Sequence, residues 1–163
     1  MMAGSGIEVV GGFLEATVRF ATPLAFAALG ECVSERAGVI NIGLEGAILA
    51  GALGGTVVAG LAGPEMGFVA GAAAGVLIAL IFAVFTVWMR ADQIITGTAI
   101  TMLAIGLTGT LYRTVYGAGG VALSTPTIGP VPIPLLSSIP LVGRALFAQP
   151  VITYLLYVVA PLI

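Results

Sequence analysis

Four stretches of the chain carry no charged side chain and are each long enough to cross a bilayer as a helix: Gly46–Pro64, Met66–Met89, Gln93–Tyr112 and Ala145–Ile163. A hydrocarbon core of ~30 Å takes about 20 apolar helical residues, so each run predicts one span. A fifth span is expected across Gly11–Gly30, with Glu15 and Arg19 in its first turns. These two lie four positions apart with the acid first, the favourable order for a helical ion pair. The Arg19 guanidinium can also snorkel to the headgroups. The expected fold is all-α: a polytopic helical membrane protein with about five transmembrane helices, forming a single membrane-embedded domain over residues 1–163.

Composition agrees and narrows the function. Charged residues make up 7% of the chain, against roughly a quarter in soluble domains, and the mean hydropathy is +1.21. Lys and His are absent and the acids are scattered singly, so no catalytic triad or common metal constellation can be assembled. No catalytic residue and no metal ligand are therefore assigned. Cys32 stands alone, which excludes an intrachain disulfide and a thiol metal site. No basic run exists to bind phosphates, so nucleic acid is not an expected partner. The N-terminus MMAGSGIEVVGGFLEATVRF lacks a basic n-region and carries Glu8 and Glu15, unlike a secretory signal.

The segment from Arg113 to Arg144 is uncharged between its two arginines, yet holds Pro126, Pro130, Pro132, Pro134 and Pro140 with Gly117, Gly119 and Gly120. Such proline density forbids a continuous helix. It predicts a large loop on one membrane face, between the fourth and fifth spans, with VPIPLL able to dip back into protein. The arginine counts for the two orientations differ by one, which decides nothing.

Small residues recur every fourth position along the second span (Gly43, Ala47, Gly51, Gly55, Ala59, Gly63) and the third (Gly67, Gly71, Gly75, Ala79, Ala83). In lipid, close backbone approach through small residues is a main source of helix association. Gly51, Gly55, Gly67, Gly71 and Gly75 are accordingly the expected helix-packing residues. General abundance of Gly and Ala in membrane helices explains their number but not their registration in neighbouring spans.

Two polar groups interrupt the apolar pattern. In ERAGVINIGLEG, Asn41 and Glu45 lie one helical turn apart, flanked by Gly38, Gly43 and Gly46. An ionised acid at mid-membrane costs roughly 2.5–3.5 kcal/mol on insertion scales. A broken helix start with an acid and an amide facing inward can line a solute route. Equally, Glu45 could sit hydrated at the interface, with Glu31, Glu35 and Arg36 nearby. The second group, ADQIITGTAIT, holds Asp92, Gln93, Thr96, Thr98 and Thr101. Threonine hydroxyls can bond back to their own helix, and Gln93 reads most simply as an interfacial cap. Gln93 and Thr96 join the candidate lining. Neither group contains a buried arginine to hold an anion, which favours a neutral, hydrogen-bonding solute.

The string ATPLAFAALGECVSERAGVINIGLEGAILAGA, followed by a glycine-rich span and RADQIITGTAITMLAIGLTGTLYR, resembles the permease subunit of ABC importers for branched-chain amino acids, ribose-like sugars and nucleosides. The nearest likeness is to nucleoside and simple-sugar uptake permeases, from about Thr17 to the chain end. The resemblance implies an all-helical subunit of a bacterial-type plasma (inner) membrane that pairs with a second permease, homologous or identical. It implies delivery of solute by an extracytoplasmic solute-binding protein and drive from cytoplasmic ABC ATPase subunits. ATP would be used by the partner ATPase, and no cofactor is expected on this chain. The resemblance maps Asn41, Gly43, Glu45 and Gly46 onto the translocation path, and puts the N-terminus outside with Arg36 and Arg90 inside.

Members of that group are nearly twice as long, with the segment that seats on the ATPase following the last span present here. The chain stops at Ala160-Pro161-Leu162-Ile163, in apolar sequence. It thus reads as the N-terminal portion of a longer permease, or a truncated product, unable by itself to couple ATP hydrolysis to transport. The rival readings are an ATP-independent channel or ion-coupled carrier with Glu45 as its proton or cation site, and a non-transporting membrane scaffold.

Overall fold

A computed structural model of the protein describes residues 2–117, 126–139 and 142–163, with side chains from residue 6 onward, Ile7 excepted. The elements in order are α1 (Met2–Arg36), α2 (Leu44–Ala62), α3 (Pro64–Ala83, continued by a π-helical turn Val84–Trp88) and α4 (Gln93–Tyr116). There follow β1 (Val131–Pro132), a 3-10 turn (Leu136–Ser138), α5 (Val142–Phe147), β2 (Ala148–Gln149) and α6 (Val151–Val159), closed by a 3-10 turn at Ala160–Leu162. Four stretches are long and apolar enough to cross a membrane: Glu8–Arg36, Leu44–Ala62, Pro64–Trp88 and Gln93–Tyr116. Val151–Leu162 is a shorter apolar helix. The protein is a multi-pass helical membrane protein.

Two boundaries differ from the sequence reading. The first span extends past Gly11–Gly30 at both ends, because nothing in Glu31–Arg36 breaks a helix. The apolar run Ala145–Ile163 is not one helix. Pro150 has no N–H to donate into a preceding turn, so a short ladder residue pair precedes it and α6 begins only at Val151. Of the Pro-rich segment, Pro140, Gly119 and Gly120 lie outside the described residues.

The chain divides into two compact units, Ser34–Thr127 and the combination of Met1–Val33 with Ile128–Ile163. In the first of these, α2 and α3 form a hairpin turned at Gly63, whose φ of 91° closes α2 before Pro64 opens α3. The left-handed region is open to glycine without steric cost. Along the hairpin the backbones meet at Gly55 against Gly67 and Gly51 against Gly71, and Gly75 faces the Ala47 carbonyl. A Cβ at Gly67 would lie 2.5 Å from Ala59 Cβ and 2.7 Å from the Gly55 oxygen. Among the described residues the buried side chains here are few: Ala59, Phe82, Thr86, Ile100 and Ala104. Bulky residues such as Phe68, Leu77, Trp88 and Leu103 stand exposed on the outer faces, as lipid-facing helices require.

In the other unit, α1 packs with the β1–β2 ladder and α6. Val131 pairs with Gln149 and Pro132 with Ala148. Gln149 is fully buried. Its Nε2 donates to the Ala145 oxygen at 2.7 Å and the Glu15 oxygen at 3.4 Å. The Gln149 N–H donates to Tyr154 Oη, which donates in turn to the Val131 oxygen at 2.7 Å. Thr22 donates to the Val18 oxygen, so across the 3.2 Å contact between hydroxyls Thr153 is the donor. On the flank of α1, Arg19 Nη2 lies 3.0 Å from Glu15 Oε1.

Replacing Gly67 by Ala forces the α2–α3 backbones apart, and the expected loss is ~1–3 kcal/mol, as for other overpacked sites. Gly60→Ala meets nothing within 4 Å and serves as the control, with a change of at most about 1 kcal/mol in the stabilising direction. Unfolding midpoints of the two variants in mixed micelles provide the comparison.

Candidate solute-path segment

The connection from α1 to α2 is built to stop one helix and start another within seven residues. At its beginning, Gly38 N–H bonds to the Glu35 oxygen and Val39 N–H to the Ser34 oxygen, at 2.9 and 3.0 Å. With Gly38 at φ +81°, this is a Schellman termination, which glycine alone adopts cheaply. Val39 to Asn41 then run outside any helix, and α2 begins at Leu44 with Gly43 as its N-cap.

What holds this broken segment is α4. Asp92 caps α4, its Oδ1 accepting from Ile94 N–H and Ile95 N–H at 2.9 Å each. Gln93 is thereby released for another task. Its Oε1 accepts the Ile40 N–H at 2.8 Å and its Nε2 donates to the Gly38 oxygen at 3.4 Å. Two turns further on, Thr101 Oγ1 donates to the Ile42 oxygen at 3.3 Å. Between them Gly97 passes so close that a Cβ there would lie 2.8 Å from both Gly43 N and Ile42 Cβ. Gly46 meets Ala104 and the Ile100–Thr101 backbone in the same way. The bonds from α4 thus satisfy backbone groups of Gly38, Ile40 and Ile42, which leave the helix.

The arrangement sorts the candidate residues. Asn41 precedes the helix, so it and Glu45 do not share a helical face. Asn41 Oδ1 is buried and turned over Gly43, while Glu45 stands exposed in the first turn of α2. Gly43 and Gly46 are buried where α4 presses on α2. Thr96 is half-buried in the first turn of α4. Gln93 is not the helix cap that its neighbours implied; Asp92 takes that role, and Gln93 ties together positions 53 and 55 apart in sequence. Thr98 bonds back to the Ile94 oxygen of its own helix. Thr101, read from sequence as another such hydroxyl, instead reaches across to the broken segment. No local signal separates these two threonines.

Beyond Gly46 and Ala104, α2 and α4 continue in the same direction. A cleft of about 390 Å³ opens between them, with Leu49, Leu53 and Thr56 on one wall and Thr108, Tyr112 and Arg113 on the other. None of the candidate residues lines it.

Comparison with known proteins decides what such a chain is part of. The family described as branched-chain amino acid transport system permease component matches residues 13–160. The chain belongs to this permease family. It is 40% identical over 157 residues to TsgC13 of Haloferax volcanii, an ABC transporter permease protein named provisionally for glucose, covering 93% of this chain and 46% of that protein. It is 35% identical over 150 residues to the guanosine ABC transporter permease protein NupQ of Bacillus subtilis, covering 88% and 47%. To the nucleoside ABC transporter permease protein NupC of Lactococcus lactis subsp. cremoris it is 37% identical over 137 residues, covering 80% and 43%. The chain therefore spans a little under half the length of these curated relatives. No solved structure matches it.

For this permease chain, Gln93→Leu removes both bonds to the broken segment. Ile40 is exposed, so water can take the freed N–H, and the expected cost is about 0.5–1.5 kcal/mol of local stability, the net worth of a lost hydrogen bond. Hydrogen–deuterium exchange should rise selectively across residues 38–42 and remain unchanged in α3. Equal protection in the variant would show that Gln93 does not hold the segment.

Proposed function

We propose that the chain forms part of the permease subunit of an ATP-driven importer for small neutral solutes, nucleosides first and simple sugars second, working by alternating access. Family membership across residues 13–160 carries this reading. The names of the relatives, which cite guanosine, nucleosides and glucose, support the substrate class. The partners in this scheme are a second permease, cytoplasmic ABC ATPases and an extracytoplasmic binding protein, in the inner membrane. ATP is consumed by the ATPases, and no cofactor binds here.

In this reading the broken segment lies beside the pathway. The bonds from Gln93 put the connection after Arg36 and the turn around Arg90 at one end of their unit. With the N-terminus outside, that end faces the cytoplasm. Glu45, exposed one turn into α2, offers a carboxylate to a hydrated solute or to the facing permease, whereas Asn41 orders the segment from within. A carboxylate so placed is tolerated in a membrane only where water or a partner reaches it. ATP binding and hydrolysis on the partners then shift the population between outward- and inward-open pairings of two permeases.

The test is uptake of labelled nucleoside and labelled sugar by cells expressing the whole gene with its transporter neighbours. Glu45→Gln and Asn41→Ala are each expected to lower uptake about tenfold, ~1.4 kcal/mol of barrier. Unaltered uptake and solute preference in both variants, at normal membrane levels, would remove these residues from the path. Collapse of the proton gradient with ATP intact should spare uptake. Loss of uptake on collapse would favour an ion-coupled carrier using Glu45.

A further inference from the structure

The cleft between α2 and α4 belongs to neither the broken segment nor its clamp, and its chemistry is unlike that of a path for polar solutes. Its walls are mostly hydrocarbon, from Leu49 and Leu53 among others. The two threonine hydroxyls that reach it have spent their hydrogens. Thr56 Oγ1 donates to the Ala52 oxygen and Thr108 Oγ1 to the Ala104 oxygen, each at 2.6 Å. A nucleoside or sugar would find few donors along these walls and would lose more hydrogen bonds to water than it gained.

One end of the cleft differs. Tyr112 and Arg113 stand there, in the closing turns of α4. Tyr112 also packs against Tyr116, with ring centroids 5.1 Å apart. Among the described residues Arg113 makes no ion pair; the pair recorded joins Arg19 and Glu15. From Gln93 to Arg113 the helix rises about 30 Å at 1.5 Å per residue, the thickness of a hydrocarbon core. When the Gln93 end of α4 lies at one membrane face, Arg113 lies among the headgroups of the other. Tyrosines beside a cation are the usual furniture of that level.

We infer that this cleft is a binding site for one anionic membrane phospholipid, with its phosphate on the Arg113 guanidinium and an acyl chain lying between Leu49 and Leu53 of α2 and the Thr108–Tyr112 stretch of α4. Charge complementarity selects the headgroup: guanidinium pairs with phosphate through charge-assisted bonds, and an uncompensated basic residue at the membrane surface draws anionic lipid. The apolar trench running inward from that cation selects a chain over a soluble anion. An acyl chain there fills the gap between α2 and α4. The inference does not depend on which solute the permease carries.

The test uses the whole protein, extracted in mild detergent, equilibrated with phosphatidylglycerol and phosphatidylcholine in equal amounts, and separated from free lipid by gel filtration. Retained lipid is counted by mass spectrometry. Native protein is expected to retain phosphatidylglycerol over phosphatidylcholine by about fivefold, the preference one surface arginine confers. Arg113→Gln should bring the ratio to parity, and Arg113→Lys should keep most of it. Arg90→Gln, at the opposite end of α4's unit, should change nothing. Leu53→Trp should reduce retention of both lipids by filling the trench. Arg113 is exposed, so its variants are expected to fold, and their elution position checks this. The proposal is overturned if native protein retains the two lipids equally or retains none, as it would if another part of the permease covered the cleft. It is overturned also if Arg113→Gln keeps the native ratio, or if Leu53→Trp leaves lipid retention intact.

Discussion

Backbone contact between helices is the constraint from which the larger unit follows. Lipid tails are as apolar as leucine, so α2, α3 and α4 gain nothing by hiding large side chains from them. They associate where side chains are absent, at Gly55 against Gly67, at Gly51 against Gly71, and at Gly46 and Gly97 where α4 crosses α2. Dispersion between closely packed backbones then replaces the hydrophobic force of a soluble core. That is why so few of the described residues are buried, Phe82 and Ile100 being the large ones in this unit, while Trp88 and Phe68 stand exposed.

A tight bundle of this kind has little room for irregular chain, yet one occurs between α1 and α2. It is tolerated because many of the backbone groups that leave the helix find a defined partner. The Schellman bonds serve the end of α1, and Gln93 and Thr101 serve Gly38, Ile40 and Ile42. The clamp residues come from a single helix, about two turns apart, so any rotation or sliding of α4 would be felt by the broken segment directly. Motion of α4 and the geometry of the broken segment are thereby joined through a handful of hydrogen bonds. The buried Gln149 performs an equivalent office in the other unit, where it bonds the end of α5 and a carbonyl of α1 while Pro150 resets the chain.

The elements themselves were largely legible. Uncharged runs of the right length mark α2, α3 and α4, and the four-residue recurrence of glycine marks the faces at which they meet. ERAGVINIGLEG is recognisable as permease sequence, and its glycines at 38, 43 and 46 point to a broken helix start. Harder to read were the roles of polar side chains. Asp92 and Gln93 stand side by side, and either could cap α4. Thr98 and Thr101 both look able to bond their own helix, and only one does. Gln149 sits inside an apolar run with nothing nearby in sequence to show that it is wholly enclosed.

The division has a physical basis. Membrane insertion depends on hydropathy summed over some twenty neighbouring residues, and helix termination on local backbone sterics at Gly38, Gly63 and Pro150. Both are properties of contiguous sequence, so sequence alone determined an all-helical, multi-pass chain and most of its breaks. A hydrogen bond from Gln93 to Ile40 depends on which of several donors lies within about 3 Å once the helices have docked. Docking depth is decided by backbone contact at Gly97 and Gly46, a property of two helices together. Only the tertiary structure could therefore show that Gln93 and Thr101 hold the broken segment, that Asn41 turns inward while Glu45 does not, and that a cleft between α2 and α4 ends at Arg113.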